Sequence, residues 1–139
     1  MWKWIKRYLG ESKSEISAAE EALRHMDDLQ ILGAFETVKI GEWFERGAQK
    51  FPDRAGDFPS LSEAFRRAGT ARLRALKRAG YEATIEDEYA QKKVDAWRSG
   101  FAQNPDQEMA DDINAFLKEG ASEFAAAYPA VWRRLQRKL

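Results

Sequence analysis

Placed on a helical wheel at about 100° per residue, most of this chain gathers its apolar residues on one side at a time. Trp2, Trp4, Ile5, Tyr8 and Leu9 fill one side of the first segment, Lys3, Lys6 and Arg7 lie opposite, and Gly10 ends it. Ser12-x-x-Glu15 has the form of a capping box, in which hydroxyl and carboxylate satisfy amides that a helix start leaves bare. From there Ile16, Ala19, Ala22, Leu23, Met26 and Leu29 make one stripe, and Gly33 reads as the stop. Ala34–Val38 is out of phase with the next stretch, and its β-branched residues suit extended backbone. Ile40, Trp43, Phe44, Gly47, Ala48 and Phe51 then share a face up to Phe51-Pro52. Gly41 and Gly47 lie on or beside that face; each costs roughly 1 kcal/mol in a helix relative to alanine, which a close helix–helix approach would explain.

Pro52–Pro59 reads as a loop, since Gly56 and two Phe-Pro steps disfavour helix there. Ser60-x-x-Glu63 predicts a capped helix running on to Gly80, with Leu61, Phe65, Ala68, Leu76 and Ala79 inward. Arg66, Arg67, Thr70, Arg74, Lys77 and Arg78 face outward. Arg72 falls in phase with the inward set, where a guanidinium must be paired or snorkel, or else serves to orient a ligand. Thr84-x-x-Asp87 starts the next helix, with three acids in a first turn that favours them. Its apolar residues fall on two sides, Ala90/Val94/Trp97/Phe101 and Ile85/Tyr89/Ala96, as in a helix held between neighbours. Asn104-Pro105 reads as an N-cap with proline at the first helical position. Met109, Ile113, Phe116, Leu117, Gly120, Phe124 and Tyr128 continue as one stripe, Pro129 kinks or restarts the chain, and Val131, Trp132, Leu135 and Leu139 carry an apolar face to the end. These stripes predict an all-α single domain over residues 1–139: an irregular bundle of about five main helices with short amphipathic terminal helices. The expected core is Trp43, Phe44, Phe65, Trp97, Phe101, Ile113, Phe116 and Phe124.

Composition narrows the function. Hydrophobic residues make up 44% of the chain and charged residues 33%, which argues against disorder. There is no cysteine, so disulfides, thiolate catalysis and zinc–thiolate sites are excluded, and a cytoplasmic location is expected. Met1–Leu9 lacks the apolar run and cleavage site of a secretory leader, and the longest apolar run, Phe124–Trp132, is far short of the about 20 residues a membrane span needs. Net charge is zero, but the charges are segregated. Met1–Leu9 carries three bases and no acid, Pro129–Leu139 four bases and no acid, and the 23 acids between face the remaining 16 bases. Tryptophans at helical spacing mark both basic ends, which therefore fold back on the body, grip a partner or lie on an anionic surface.

Candidate chemistry is sparse. His25, the one histidine, could share a metal with Glu21 and Asp28 on one helix face, but a protein metal site needs three or four converging ligands. The pairs Asp27-Asp28 and Asp111-Asp112 and the triplet Glu86-Asp87-Glu88 diverge around their helices and read as solvated surface. No phosphate loop, nucleophile elbow or His-Glu-x-x-His motif occurs, so no catalytic residue, cofactor or metal ligand is assigned and an enzyme is disfavoured. The expected function is binding another protein through a charged helical surface, with Arg66, Arg67, Arg74, Lys77, Arg78, Trp2 and Trp4 as contact residues. A peripheral membrane-surface protein held by the basic ends is the alternative. Nucleic-acid backbone binding through the basic face of helix 60–79 is the third reading, opposed by the zero net charge and by the acids opening the following helix.

Overall fold

The computed structural model describes residues 13–138; Trp2, Trp4 and the Ser12 capping box lie outside the described residues. The chain is all-α, with no strand among the described residues. Helix α1 spans Lys13–Lys50, a 3-10 turn Pro52–Asp57, α2 Phe58–Lys77, α3 Ile85–Gln103, α4 Gln107–Glu119, α5 Ala121–Ala127 and α6 Pro129–Lys138.

At 38 residues, about 57 Å, α1 is the spine of the fold. It runs straight through Gly33, the expected stop, and through Ala34–Val38, the expected extended segment. The apparent change of phase has a packing cause: α1 is covered on two sides. Ala34, Val38 and Gly41 meet α2, while Ile31, Leu32 and Phe35 meet α5 and α6. The intrinsic preference of one glycine is far smaller than the burial gained by continuing.

α2 runs antiparallel to α1 at very short range. A Cβ added to Gly41 would stand 2.7 Å from Arg66 Cγ and 2.9 Å from both the Arg66 amide nitrogen and the Ser62 carbonyl oxygen. One at Gly69 would stand 2.6 Å from Val38 Cγ2 and 2.8 Å from the Ala34 carbonyl oxygen. Buried Ser62 donates its hydroxyl to the Gly41 carbonyl at 2.6 Å across this seam. The close approach expected of Gly41 is therefore present, but Gly47 has a different neighbour, the ring of Trp43 on its own helix, at 3.2 Å.

Helix ends show which start signals were used. The Thr84 box forms: Thr84 Oγ1 accepts from the Asp87 amide and Asp87 Oδ2 from the Thr84 amide, both at 3.1 Å. The Ser60 box does not, because the 3-10 turn already delivers Phe58 in helical conformation and the helix starts three residues early, with Asp57 in place of Ser60 at its N-cap. Asn104 instead terminates α3, and Asp106, one residue past Pro105, caps α4. Between α2 and α3 the chain reverses at Gly80, whose φ of 82° is the left-handed conformation that glycine takes without strain.

The single stripe expected from Met109 to Tyr128 is broken at Gly120, and Pro129 begins α6. The three segments return antiparallel along α1. Asp112 meets Trp43, Glu123 meets Lys39, Phe124 meets Phe35 and Arg134 meets Asp28. At the bend a Cβ on Gly120 would lie 3.1 Å from Lys39 Cε, so the break brings the chain close to the buried lysine.

Two apolar clusters result. The larger joins Trp43, Phe44, Phe58, Phe65, Val94, Met109 and Ile113, with Phe44 at 5.0–5.3 Å from the rings of Phe58, Trp97, Phe65 and Trp43. The smaller joins Phe124, Val131 and Leu135 to Ile31, Leu32, Phe35, Tyr128 and Trp132. Of the eight expected core residues, Trp97, Phe101 and Phe116 are only partly buried, at the edge of the larger cluster.

Candidate functional site

The face of α2 that points away from α1 carries Glu63, Arg67, Thr70 and Arg74 in sequence, and α3 leaves its neighbouring face uncovered. Ala90 and Val94 are buried against α2, so the first apolar side of α3 packs as expected. The second does not: Ile85 is 83% exposed and Tyr89 70% exposed, with no helix beyond them among the described residues. The wheel shows that both sides are apolar, but not whether a second neighbour exists. Ile85 and Tyr89 thus line a groove of about 410 Å³ between α2 and α3, with Ala64 in its wall and Arg67, Lys93, Glu63 and Glu86 around the rim.

The rim is held by Asp87, in the first turn of α3. Its carboxylate accepts from the Thr84 amide at 3.1 Å, from the Tyr81 hydroxyl at 2.8 Å and from Arg67 Nε at 2.9 Å. Led by the Thr84 amide and then Tyr81, and against the effect of burial, these donors lower the Asp87 pKa to about 2. The carboxylate is therefore ionised at neutral pH, and Arg67 is fixed at the groove edge. On the opposite side Lys93 Nζ donates to Ser60 Oγ, so both cations are positioned by hydrogen bonds between α2 and α3.

The five basic residues expected to form one docking stripe are all exposed but not equivalent. Arg66 pairs with Glu45 of α1, Arg67 pairs with Asp87, and Lys77 lies over the ring of Tyr128 at 4.6 Å. Arg74, two turns beyond Arg67, and Arg78, in extended backbone just past the end of α2, form no ion pair with a described residue. The stripe thus reduces to two uncommitted arginines continuing from a groove whose apolar centre was expected to be internal. Arg72 departs from its expected burial: it is exposed and lines an open groove together with Arg98 of α3.

Other candidates are structurally engaged. Both oxygens of buried Asp28 accept from Arg134 at 2.8 Å, and among the described residues no cluster of three or more His, Asp and Glu side chains converges. Asp112 accepts from Trp43 Nε1 at 2.6 Å and pairs with Lys50; the indole bond, against burial, holds its pKa below the ordinary value. Its neighbour Asp111 points elsewhere, to Gln107. Lys39 was not singled out by the sequence, yet its side chain is 7% exposed, pairing with Glu42 at 2.6 Å and Glu123 at 2.8 Å. Burial disfavours its charge, but the two carboxylates outweigh that and raise its pKa.

At the basic carboxyl end, Trp132 is half-buried 6.0 Å from Phe124 and Arg134 is bound to Asp28, while Arg133 and Arg137 are exposed. No described helix is long and apolar enough to cross a membrane. No protein-family model, curated protein or solved structure matches the chain.

Proposed function

We propose that this chain is a non-catalytic binding protein that receives a segment of another protein in the groove between α2 and α3. Exposed Ile85 and Tyr89 beside two fixed cations carry this reading. An apolar centre inside a polar rim is the anatomy of a protein interface, and aromatic and arginine side chains supply much of the affinity in such sites. Burying Ile85 contributes about 1.5–3 kcal/mol, and Tyr89 presents a further large apolar face with a hydroxyl at its tip. Arg74 and Arg78 extend the surface with positive charge, which favours a partner segment with an apolar face and acids beside it. The absence of cysteine suits a partner met in a reducing compartment such as the cytosol.

The nucleic-acid reading is weakened because two of the five bases of the expected stripe are committed to carboxylates and Arg78 lies past the end of α2. The membrane reading through the carboxyl end is weakened because Trp132 and Arg134 face the body. The test compares full-length wild type with Ile85→Asp/Tyr89→Ser and with Arg74→Glu/Arg78→Glu in pull-downs quantified by mass spectrometry, followed by titration of the purified partner. The expected result is a partner retained by wild type, lost by the groove variant and weakened by charge reversal, with melting temperature little changed. A partner that ignores both variants overturns the reading. Pelleting with anionic liposomes, or salt-steep DNA binding, in the absence of a groove-dependent protein partner would replace it.

A further inference from the structure

A second groove, of about 360 Å³, opens on the face of α1 and shares no lining residue with the α2–α3 groove. Leu29, Gly33, Glu36 and Ile40 succeed one another along this face at helical spacing, and Leu117 of α4 closes its far side. Two arginines from different helices reach it, Arg72 of α2 and Arg98 of α3. Arg98 is held in place: it donates to Thr37 Oγ1 at 3.0 Å and its guanidinium lies 5.6 Å from the centre of the Phe65 ring. Neither arginine forms an ion pair with a described residue.

Gly33 supplies an independent observation. The glycines at positions 41 and 69 are required by close backbone contact, but a Cβ at position 33 meets nothing within 4 Å. A glycine inside a long helix costs roughly 1 kcal/mol relative to alanine, and here no packing demands it. Its effect is to leave the middle of the groove floor clear.

We propose that this groove binds a small amphipathic oxyanion, a carboxylate or phosphate monoester on an apolar body. The head lies between Arg72 and Arg98, and the body lies over Gly33 against Leu29, Ile40 and Leu117. Two guanidinium forks from different directions match the geometry of an oxyanion, and the floor from Leu29 to Ile40, apolar at its two ends and clear at Gly33, is about 16 Å long. The volume lies within the range of about 300–1,000 Å³ typical of small-ligand sites. Glu36 is the one carboxylate lining the groove, and it opposes an anion. Burial raises its pKa and Arg98 lowers it, so a bound anion competes with Glu36 for the same guanidinium.

Octanoate and octyl phosphate, titrated separately into the isotopically labelled full-length protein and monitored by amide chemical shifts, test the proposal and distinguish the two heads. Binding is expected to shift the amides of residues 29–40, together with those near Arg72 and Arg98. Arg72→Ala should weaken it by about tenfold, the value of one charge-assisted hydrogen bond, and Glu36→Gln should strengthen it. Gly33→Leu fills the floor and should abolish the shifts while the protein melts no lower than wild type. If neither probe moves these amides, or if binding survives both Arg72→Ala and Gly33→Leu, the proposal fails.

Discussion

In Gly69→Ala, the added methyl would stand 2.6 Å from Val38 Cγ2, 2.8 Å from the Ala34 carbonyl oxygen and 2.8 Å from the Val38 amide nitrogen. Two of these three atoms belong to the backbone of α1 and have no rotamer to escape into, so α1 and α2 must separate. Overpacking of this kind costs about 1–3 kcal/mol, and because the strain falls on backbone the upper part of the range applies. Alanine returns up to about 1 kcal/mol of helix propensity, leaving a net loss of about 1–2 kcal/mol. Gly33→Ala is the control: the same substitution in the same helix system, with nothing within 4 Å, should gain about 0.5–1 kcal/mol. For a chain of this size each kcal/mol moves the melting temperature by about 3–5 °C. The two variants should therefore bracket wild type, one melting a few degrees higher and the other about 3–10 °C lower. Urea melts of the three proteins at one pH give the same comparison in free energy, with an unchanged slope showing that compactness is preserved. If Gly69→Ala proves as stable as Gly33→Ala, the helices do not meet at this distance and the seam described between α1 and α2 is wrong.

Arg134→Leu leaves the buried Asp28 carboxylate without its partner and should cost about 3 kcal/mol in urea unfolding, while Asp28→Leu/Arg134→Leu recovers most of the loss; equal destabilisation of both would show that the pair is not the cause. Asp112→Ala removes the acceptor of the buried Trp43 indole and should cost about 1–3 kcal/mol with a shift of tryptophan emission, and an unchanged spectrum and stability would contradict that bond. Asp87 has a depressed pKa, so its contribution is complete above its unfolded value near 3.8 and disappears as pH falls through about 2. The stability advantage of wild type over Asp87→Asn, at most about 2 kcal/mol at neutral pH, should shrink across that interval, and a pH-independent difference would refute the assignment.

The legibility of the sequence divides along physical lines. The Thr84 box was legible because both of its partners lie within four residues and need no tertiary neighbour. The Ser60 box has the same spelling, but the 3-10 turn before it starts the helix earlier, a conformation set by the fold around Phe58. Gly41 was legible as a point of close approach, and Gly47 was not distinguishable from it, because a wheel gives direction and not what stands there. The same limitation inverted the reading of Ile85 and Tyr89. Apolar residues on two sides of α3 predict two neighbours, and the groove exists because only one is present among the described residues. Arg72 was legible in phase but not in environment: it lines an open groove with Arg98 of α3, not a closed helix interface. Lys39 carried no signal at all: its burial depends on Glu123, 84 residues away, and on the bend at Gly120.

The return of α4, α5 and α6 along α1 also sets an expected order for the assembly of the chain. Read up the spine, the side-chain bonds join residues 54 apart at Arg54–Glu108, 62 at Lys50–Asp112, 69 at Trp43–Asp112, 84 at Lys39–Glu123 and 106 at Asp28–Arg134. Each bond shortens the effective loop that the next must close, so loop-closure entropy favours zipping from the carboxyl end of α1 toward its amino end. Opening is expected in reverse, with the Asp28–Arg134 bond and the small cluster around Phe124 losing amide-exchange protection before the aromatic cluster around Phe44. The α2–α3 groove, walled by Ala64 and Ala90 of the larger cluster, is thereby expected to keep its shape through excursions that unzip the far end.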